Sequence, residues 1–311
     1  MKARQDEPAR LRAGVIGLGM IGGGVAVSLA RSGRVPVVHD IRPEAAELPG
    51  DPDLLGSPAE VAANSDVVLI AVVSADQARE VITGDSGLLV GAQPGSTIVL
   101  LSTVELPVVR ELAAACAASD VGFLDSGVTP GDKAAENGLV TMVGGDADTV
   151  ARAMPVLADF AKEVVHCGPL GAGMATKLAR NVVTYGSWRT VAEAASLAGA
   201  AGVEPETLMR VITTADPEGH TLLQLLEMQR VDQAGALAMS EQIAALTGQG
   251  LDGPGALAAI RKLVRGIEPL MDKDLAAAQK LAADLEVELP LVDVTRREER
   301  DTLGIQEGKD V

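Results

Sequence analysis

The first half of the chain alternates between short apolar runs and longer segments whose apolar residues recur with helical spacing. The run Asp66–Val73 shows no alternation of apolar and polar positions, which is typical of a strand buried on both faces. Strands are predicted at Arg12–Gly17, Arg34–Asp40, Asp66–Val73, Ser96–Leu101, Val121–Asp125, Leu139–Gly144 and Glu163–His166. Helices are predicted between most of them, at Met20–Arg31, Pro58–Asn64, Ala75–Ile82, Leu106–Ala118 and Ala147–Lys162. This order predicts a mostly parallel, doubly wound sheet with helices on both faces.

The second half of the chain has a different pattern. After about Gly168 no segment shows the pattern of a strand. Helices are predicted at Met174–Ala201, Pro205–Thr213, Thr221–Gln229 and Ala256–Leu285. We therefore expect an N-terminal tail over residues 1–11, an α/β domain over residues 12–167 and an all-α C-terminal domain over residues 168–311.

Composition narrows the function. The chain of 311 residues has 43 acidic and 26 basic side chains, and its net charge of -17 disfavours nucleic acid and anionic lipid as partners. Only four residues are aromatic, and the two cysteines make no disulfide framework. The first twelve residues are charged, so we expect no signal peptide and a cytoplasmic protein. Three histidines without a Cys/His cluster predict no metal site.

A glycine motif lies at the end of the first predicted strand. Gly17, Gly19 and Gly22 form G-x-G-x-x-G, and a predicted helix begins within it. In this context the first glycine allows a tight turn, the second lets the backbone approach a pyrophosphate, and the third permits close packing of helix on strand. The helix N-terminus favours the anionic pyrophosphate. The N-terminal domain is therefore predicted to be a Rossmann domain that binds a dinucleotide.

The end of the second predicted strand bears on the choice of cofactor. Asp40 lies where a carboxylate binds the ribose hydroxyls of NAD, and it would repel the 2′-phosphate of NADP. Arg42 is able to pair with that phosphate, although residue 41, directly after the carboxylate, is Ile. We predict NAD, with NADP as the alternative.

A third candidate segment opens the helical half. Three glycines, Gly168, Gly171 and Gly173, precede a predicted helix that carries Lys177 and Asn181. The i, i+4 spacing places both side chains on one helix face. A partly desolvated lysine has a lowered pKa and passes protons near neutral pH.

In these motifs the chain resembles the β-hydroxyacid dehydrogenase family. The glycine loop is the family's first motif, Asp125–Gly131 resembles its substrate motif, Gly168–Asn181 its catalytic motif, and Lys273–Leu275 its C-terminal cofactor motif. The resemblance implies that Lys177 is the general acid/base, and that Thr129, Gly131 and Asn181 bind substrate. It also implies that the cofactor is bound by Gly17, Leu18, Gly19, Met20, Ile21, Gly22, Asp40, Val73, Thr103 and Lys273. A surface salt bridge of Lys273 with a neighbouring aspartate is the alternative.

The substrate motif departs from the family's usual D-x-P-V-S-G-G. Gly127 replaces Pro, Thr129 replaces Ser, and Pro130 replaces the first Gly. Because proline has no N–H, one backbone donor for a substrate carboxylate is missing. The pocket is therefore predicted to bind its anion differently or to take a less anionic substrate. Lys133 is a candidate to compensate, with a solvated loop position as the alternative.

The leading hypothesis is an NAD(P)-dependent oxidoreductase acting on a small 3-hydroxy acid or the matching semialdehyde. The alternatives are an imine reductase, in which the catalytic lysine is usually replaced, and a dinucleotide-binding interaction protein without turnover. We expect a homodimer or homotetramer formed through the helical domain. Trp188 is expected to pack against the first domain or against a second subunit. His220, in a polar loop, is a candidate for the substrate pocket or for a helix cap.

Overall fold

The computed structural model describes residues 10–230, 252–303 and 305. Its contacts divide the chain into two compact units, Met1–Val183 and Thr184–Val311. The boundary between them lies inside one long helix, and the predicted division after residue 167 stays a prediction. No helix in the described ranges is both long and apolar enough to cross a membrane.

The first unit contains a seven-stranded sheet with the order β2-β1-β3-β4-β5-β6-β7. Its strands are β1 (Ala13–Ile16), β2 (Val37–His39), β3 (Val67–Ile70), β4 (Thr97–Leu100), β5 (Gly122–Thr129), β6 (Leu139–Gly144) and β7 (Ala161–Gly168). Neighbouring strands pair in parallel except for β5 with β6. The predicted mostly parallel α/β sheet is therefore confirmed, and its strand order reverses direction at β1, where such sheets bind ligands.

Helices connect these strands. They are α1 (Met20–Arg31), α2 (Pro58–Ala63), α3 (Ala75–Thr83), α4 (Leu88–Gly91), α5 (Leu106–Ala117), α6 (Ala147–Phe160) and the start of α7 (Ala172–Ala200). Two 3₁₀ helices, Pro43–Ala46 and Gly131–Glu136, have no counterpart among the predicted elements, because such short turns carry no periodicity. The predicted helix after Ala147 ends two residues early, because Ala161 is extended and begins β7.

The core lies on both faces of the sheet. On β3, Val67 and Leu69 belong to one apolar cluster, and Val68 and Ile70 belong to the cluster on the opposite face. Successive side chains of a strand point to opposite faces, so both sets need apolar residues. This explains why the run around β3 shows no alternation of apolar and polar positions.

Strand β5 is longer than predicted. The sequence pattern ends it at Asp125, but pairing with β6 continues to Thr129, which lies opposite Val140. The residues of the candidate substrate motif from Asp125 to Thr129 therefore lie in a strand, where successive side chains point to opposite faces of the sheet.

The second unit is helical in its described residues. It contains the end of α7, then α8 (Pro205–Ala215), α9 (Thr221–Arg230), α10 (Gly253–Asp284), α11 (Pro290–Arg297) and α12 (Glu299–Thr302). The buried Glu193 of α7 accepts hydrogen bonds from the backbone N–H groups of Leu291 and Val292 at the start of α11. Burial acts to raise the pKa of Glu193, but these bonds and the bond from Arg189 outweigh it and lower the pKa. The all-α character predicted for the C-terminal region is confirmed for these ranges.

Candidate active site

The glycine loop has the geometry that the motif predicts. Gly17 has a φ of 83°, and a β-carbon there would lie 2.5 Å from the carbonyl oxygen of Ala71. A β-carbon at Gly22 would overlap the carbonyl oxygen of Gly17, so α1 packs directly on the loop. A β-carbon at Gly19 would meet no atom within 4 Å, which leaves the space above the loop open to a ligand. The loop therefore combines close packing beneath with free access above.

The start of α1 favours an anion. Gly19 is the N-cap, the first turn carries no acidic residue, and Met20 at its first position is 71 % exposed. The unpaired N–H groups of a helix start carry a partial positive charge, which suits a pyrophosphate. Ile21 is partly buried beside the same turn.

Asp40 follows β2 and is bound to the glycine loop. One carboxylate oxygen accepts a hydrogen bond of 2.6 Å from the N–H of Leu18, and the other accepts one of 2.9 Å from the N–H of Arg42. The guanidinium of Arg42 also pairs with Asp40, at 3.1 Å. Burial acts to raise the pKa of Asp40, but the hydrogen bonds from Arg42 and Leu18 outweigh it, so the pKa lies below its ordinary value.

A cavity of about 540 Å³ lies at the carboxyl ends of β1, β2 and β3. Four predicted cofactor residues line it: Gly17, Gly19, Asp40 and Val73. Other residues of the lining were not predicted as cofactor residues from the sequence: His39, Ile41, Pro58, Gln77, Glu80, Val81 and Ser86. They belong to the end of β2 and to the connections that follow β2 and β3, and a local pattern does not show that these segments meet. The cavity, the open loop and the helix start together fit a dinucleotide.

Lys177 lies on α7 and reaches back to β5. Its Nζ donates a hydrogen bond of 2.8 Å to the carbonyl oxygen of Val128. Burial and, second, the positive charge of Arg180 lower the pKa of Lys177 below its ordinary value. Asn181 is half-buried one turn further along α7. The lysine is thus partly desolvated and has its ammonium group at the end of β5.

The substrate motif approaches the glycine loop. Thr129 is half-buried at the end of β5, and Pro130 is exposed. A β-carbon at Gly131 would lie 3.0 Å from Ile21 Cδ1 and 3.2 Å from Met20 Cε, so this residue lies against the first turn of α1. The candidate substrate motif and the candidate cofactor loop are therefore adjacent.

The ammonium group of Lys133 is paired with a carboxylate, so Lys133 is not a free cation for the place where the substrate motif contacts the glycine loop. Its Nζ lies 3.1 Å from the carboxylate of Glu136, and its side chain is 48 % exposed. Of the two roles considered for Lys133, this exposed position agrees with a solvated lysine and not with one that compensates for the missing donor.

Gly127, where the family usually has proline, lies beneath Lys177. A β-carbon at this position would lie 2.7 Å from Lys177 Cγ and 3.2 Å from its Cδ. The β-carbon of a proline would therefore collide with the lysine stem in this arrangement. In this chain the glycine thus gives the lysine stem its place against β5.

Other predicted residues lie apart from the cavity lining or in the second unit. Thr103 is exposed after β4, next to the buried Ser102, whose hydroxyl joins the backbone of Val72 at 2.8 Å. On α10, Lys273 pairs with Asp274 at 3.3 Å, which is the surface salt bridge considered as its alternative role. Cofactor contacts of Thr103 and Lys273 stay predictions.

His220 lies in the turn before α9. Its Nε2 lies 2.8 Å from the carboxylate of Glu218, and the cap of the helix is provided by Asp216, which accepts from the N–H groups of His220 and Thr221. A substrate role for His220 stays a prediction.

Comparison with known sequences agrees with this geometry. Residues 12–171 match the family model described as the NAD binding domain of 6-phosphogluconate dehydrogenase. Human mitochondrial 3-hydroxyisobutyrate dehydrogenase is 32 % identical over 202 residues, which span 64 % of this chain and 60 % of the human protein. An uncharacterized oxidoreductase of Mycobacterium tuberculosis is 30 % identical over 308 residues, covering 98 % of this chain and 96 % of that protein.

Solved structures show the same architecture. An oxidoreductase from Mycobacterium avium 104 has a TM-score of 0.74 and 30 % identity, covering 96 % of this chain and all of that one. A 3-hydroxyisobutyrate dehydrogenase of M. tuberculosis with L-serine has a TM-score of 0.61 and 26 % identity, over 95 % and 94 % of the two chains. An imine reductase from Myxococcus stipitatus with NAD+ shares the fold, with a TM-score of 0.70 and 16 % identity over 96 % of each chain. The chain therefore belongs to the β-hydroxyacid dehydrogenase family of NAD-binding oxidoreductases, which act on small molecules.

Proposed function

We propose that this protein transfers a hydride between a nicotinamide cofactor and a small 3-hydroxy acid or the corresponding semialdehyde, with Lys177 as the general acid/base. One observation carries the proposal. The ammonium group of Lys177, partly buried, lies at the end of β5, whose next residues lead to Gly131 against the glycine loop. The short segment from Val128 to Gly131 therefore links Lys177, the proposed proton-transfer group, to the glycine loop.

Hydride transfer, proton transfer and substrate orientation are assigned to different groups. A bound nicotinamide supplies the acceptor or donor of the hydride. In the oxidative direction the neutral Nζ of Lys177 takes the proton of the substrate hydroxyl, and in the reductive direction its ammonium returns that proton. The lowered pKa of Lys177 increases the neutral fraction that oxidation needs. Thr129, Gly131 and Asn181 orient the substrate around this group.

The substrate class rests on the chemistry of this region and on the relatives. Thr129 keeps a hydroxyl donor, whereas Pro130 contributes no N–H, so the motif offers fewer donors to a carboxylate. L-serine, present in the M. tuberculosis structure, is itself a 3-hydroxy acid. With four aromatic residues in the chain, a pocket for a large planar substrate is disfavoured.

For the cofactor we propose NAD in preference to NADP. The carboxylate of Asp40 is only 6 % exposed, but it borders the cavity with a lowered pKa and keeps its negative charge there. A 2′-phosphate near this carboxylate is repelled. Arg42 offsets part of this repulsion, which is why discrimination is expected to be partial.

A screen of cofactor reduction tests the proposal. Small 3-hydroxy acids and their amides are incubated with NAD or NADP, and cyclic imines with NADPH, for the native chain and for Lys177→Ala. We expect turnover of a hydroxy acid with NAD, and a loss of about 10²- to 10⁴-fold in kcat for the variant, the contribution typical of general acid–base groups. Lys162→Ala, which removes an exposed lysine of β7, is the control.

Two results would assign a different function. Reduction of imines without any turnover of hydroxy acids would support the imine reductase alternative. Tight binding of NAD with no turnover of any substrate would support a dinucleotide-binding interaction protein.

A further inference from the structure

Strand β5 is hydrogen-bonded to the first turns of α7 and to the glycine that precedes the helix. The two carboxylate oxygens of Asp125 accept hydrogen bonds of 2.6 Å from the backbone N–H groups of Gly171 and Met174. One turn later, Lys177 donates its own bond of 2.8 Å to Val128. Met174 and Lys177 lie three residues apart on α7 and are neighbours on its surface, and Gly171 directly precedes the first residue of the helix.

The carboxylate of Asp125 is fully buried, with 0 % exposure. A buried carboxylate is stable only when hydrogen bonds and favourable partial charges replace its hydration, and the N–H groups at a helix start supply both. Asparagine has the same size, but it presents one NH₂ group where Asp125 presents an acceptor. One of the two N–H groups of α7 would then face a donor and lose its bond.

Gly127 lies on the same face of β5 as Asp125, because side chains two residues apart share a face. The stem of Lys177 occupies the space where a β-carbon of residue 127 would be, with Cγ 2.7 Å from that position. The glycine therefore sets how closely the lysine stem approaches the strand. Asp125 sets where the helix begins, and Gly127 sets how deeply the lysine lies.

We propose that Asp125 and Gly127 are positioning residues for Lys177: Asp125 fixes the start of α7, and Gly127 admits the lysine stem against β5, so that together they place the ammonium group at the end of the strand. This inference rests on the proposed function of Lys177. Neither residue is assigned a contact with the substrate or with the reacting atoms.

The test compares Asp125→Asn and Gly127→Ala with a matched cap variant, Asp146→Asn. Asp146 caps a different helix, α6, by accepting the N–H of Thr149 at 2.9 Å. Four quantities are measured for each protein. They are kcat and KM for the best substrate, the Kd for NAD, and the pH midpoint at which Lys177 reacts with trinitrobenzenesulfonate, read by peptide mass spectrometry. Lys133, an exposed lysine, is the internal standard for reactivity.

We expect kcat to fall by about 10²-fold in Asp125→Asn, the loss that follows a misplacement of about 1 Å. The Kd for NAD should stay within about twofold, as expected when the cofactor loop is undisturbed. In both variants the reactivity midpoint of Lys177 should move upward, because a displaced ammonium is better hydrated. Gly127→Ala keeps the test decisive if Asp125→Asn does not fold, since it leaves the cap of α7 intact.

An unchanged reactivity midpoint and kcat in the variants that fold would overturn the inference. So would an equal loss of kcat in Asp146→Asn, because the effect would then belong to any helix cap. A shifted midpoint in a protein that turns over no hydroxy acid would support the positioning role while rejecting the proposed function.

Discussion

The carboxylate of Asp40 and the backbone N–H of Leu18 are joined by a hydrogen bond of 2.6 Å. The bond connects the end of β2 to the glycine loop after β1, so Asp40 shapes the loop as well as facing the cavity. Charge-assisted bonds of this kind are stronger than neutral ones.

The first prediction concerns this bond. Asp40→Ala removes the acceptor for Leu18 and the carboxylate at the ribose position. We expect the Kd for NAD to rise by about 10- to 150-fold, because a hydrogen bond to a charged group contributes about 1.5–3 kcal/mol. Isothermal titration calorimetry measures this change. Glu44→Ala, at an exposed acidic residue of the following turn, should leave the Kd unaltered. An unchanged affinity in Asp40→Ala would contradict a role for this residue in cofactor binding.

The second prediction concerns cofactor selectivity. Arg42 is 57 % exposed, borders the cavity and is paired with Asp40. In Arg42→Ala the negative charge of Asp40 is no longer offset, so the ratio of kcat/KM for NAD over NADP should increase by about tenfold, as for one lost charge pair with phosphate. Steady-state kinetics with both cofactors give the ratio. In Arg31→Ala, which removes a guanidinium paired with Asn137, the ratio should stay constant.

The third prediction concerns pH. Burial and the charge of Arg180 lower the pKa of Lys177 below 10.5, and oxidation of a hydroxyl requires its neutral form. The kcat/KM for oxidation should therefore rise with pH through a midpoint below 10.5. Arg180→Gln removes a positive neighbour and makes the protonated form more stable, so the midpoint should move to higher pH. A shift of the midpoint to lower pH would contradict the repulsion between Arg180 and Lys177. Arg110→Gln, at an exposed residue of α5, is the control.

The fourth prediction concerns stability of the first unit. Asp159 binds the guanidinium of Arg34 at 2.7 Å, and the side chain of Arg34 is only 5 % exposed. Asp159→Asn removes the negative charge beside this cation and leaves it the carbonyl oxygens of Leu11 and Pro155. The free energy of unfolding should fall by about 3 kcal/mol, as when one member of a buried ion pair is removed. Urea denaturation measures the change. Arg79→Gln, which breaks the exposed pair with Glu111, should leave the midpoint of denaturation in place.

The fifth prediction concerns assembly. Trp188 is 65 % exposed on α7, and its ring lies 5.2 Å from that of Tyr185 in an edge-on arrangement. An exposed aromatic pair is typical of an interface, so we propose a homodimer formed through the helical region. In sedimentation velocity the native chain should be dimeric and Trp188→Glu monomeric. Lys162→Glu, on β7, should not dissociate the dimer, and a monomeric native chain at micromolar concentration would refute the proposal.

Much of the architecture was predictable from local patterns. The buried run at β3 and the glycine motif before α1 each depend on residues close together in sequence, so periodicity and turn chemistry reveal them. The extension of β5 to Thr129 was not predictable, because it depends on pairing with β6, which follows the 3₁₀ helix Gly131–Glu136. The role of Arg42 was also open, since only the folded chain shows its pairing with Asp40.

By itself, the sequence determined the order of strands and helices, the dinucleotide loop and the identity of Lys177 as the candidate proton-transfer group. These features follow from apolar periodicity and from residue types at short spacing. Only the tertiary structure decided that Lys177 reaches Val128, 49 residues away in the chain, with its stem over Gly127 and its helix held by Asp125. The reason is physical: the pairing of strands and the approach of a helix to a sheet are set by packing between distant segments, which no local pattern encodes.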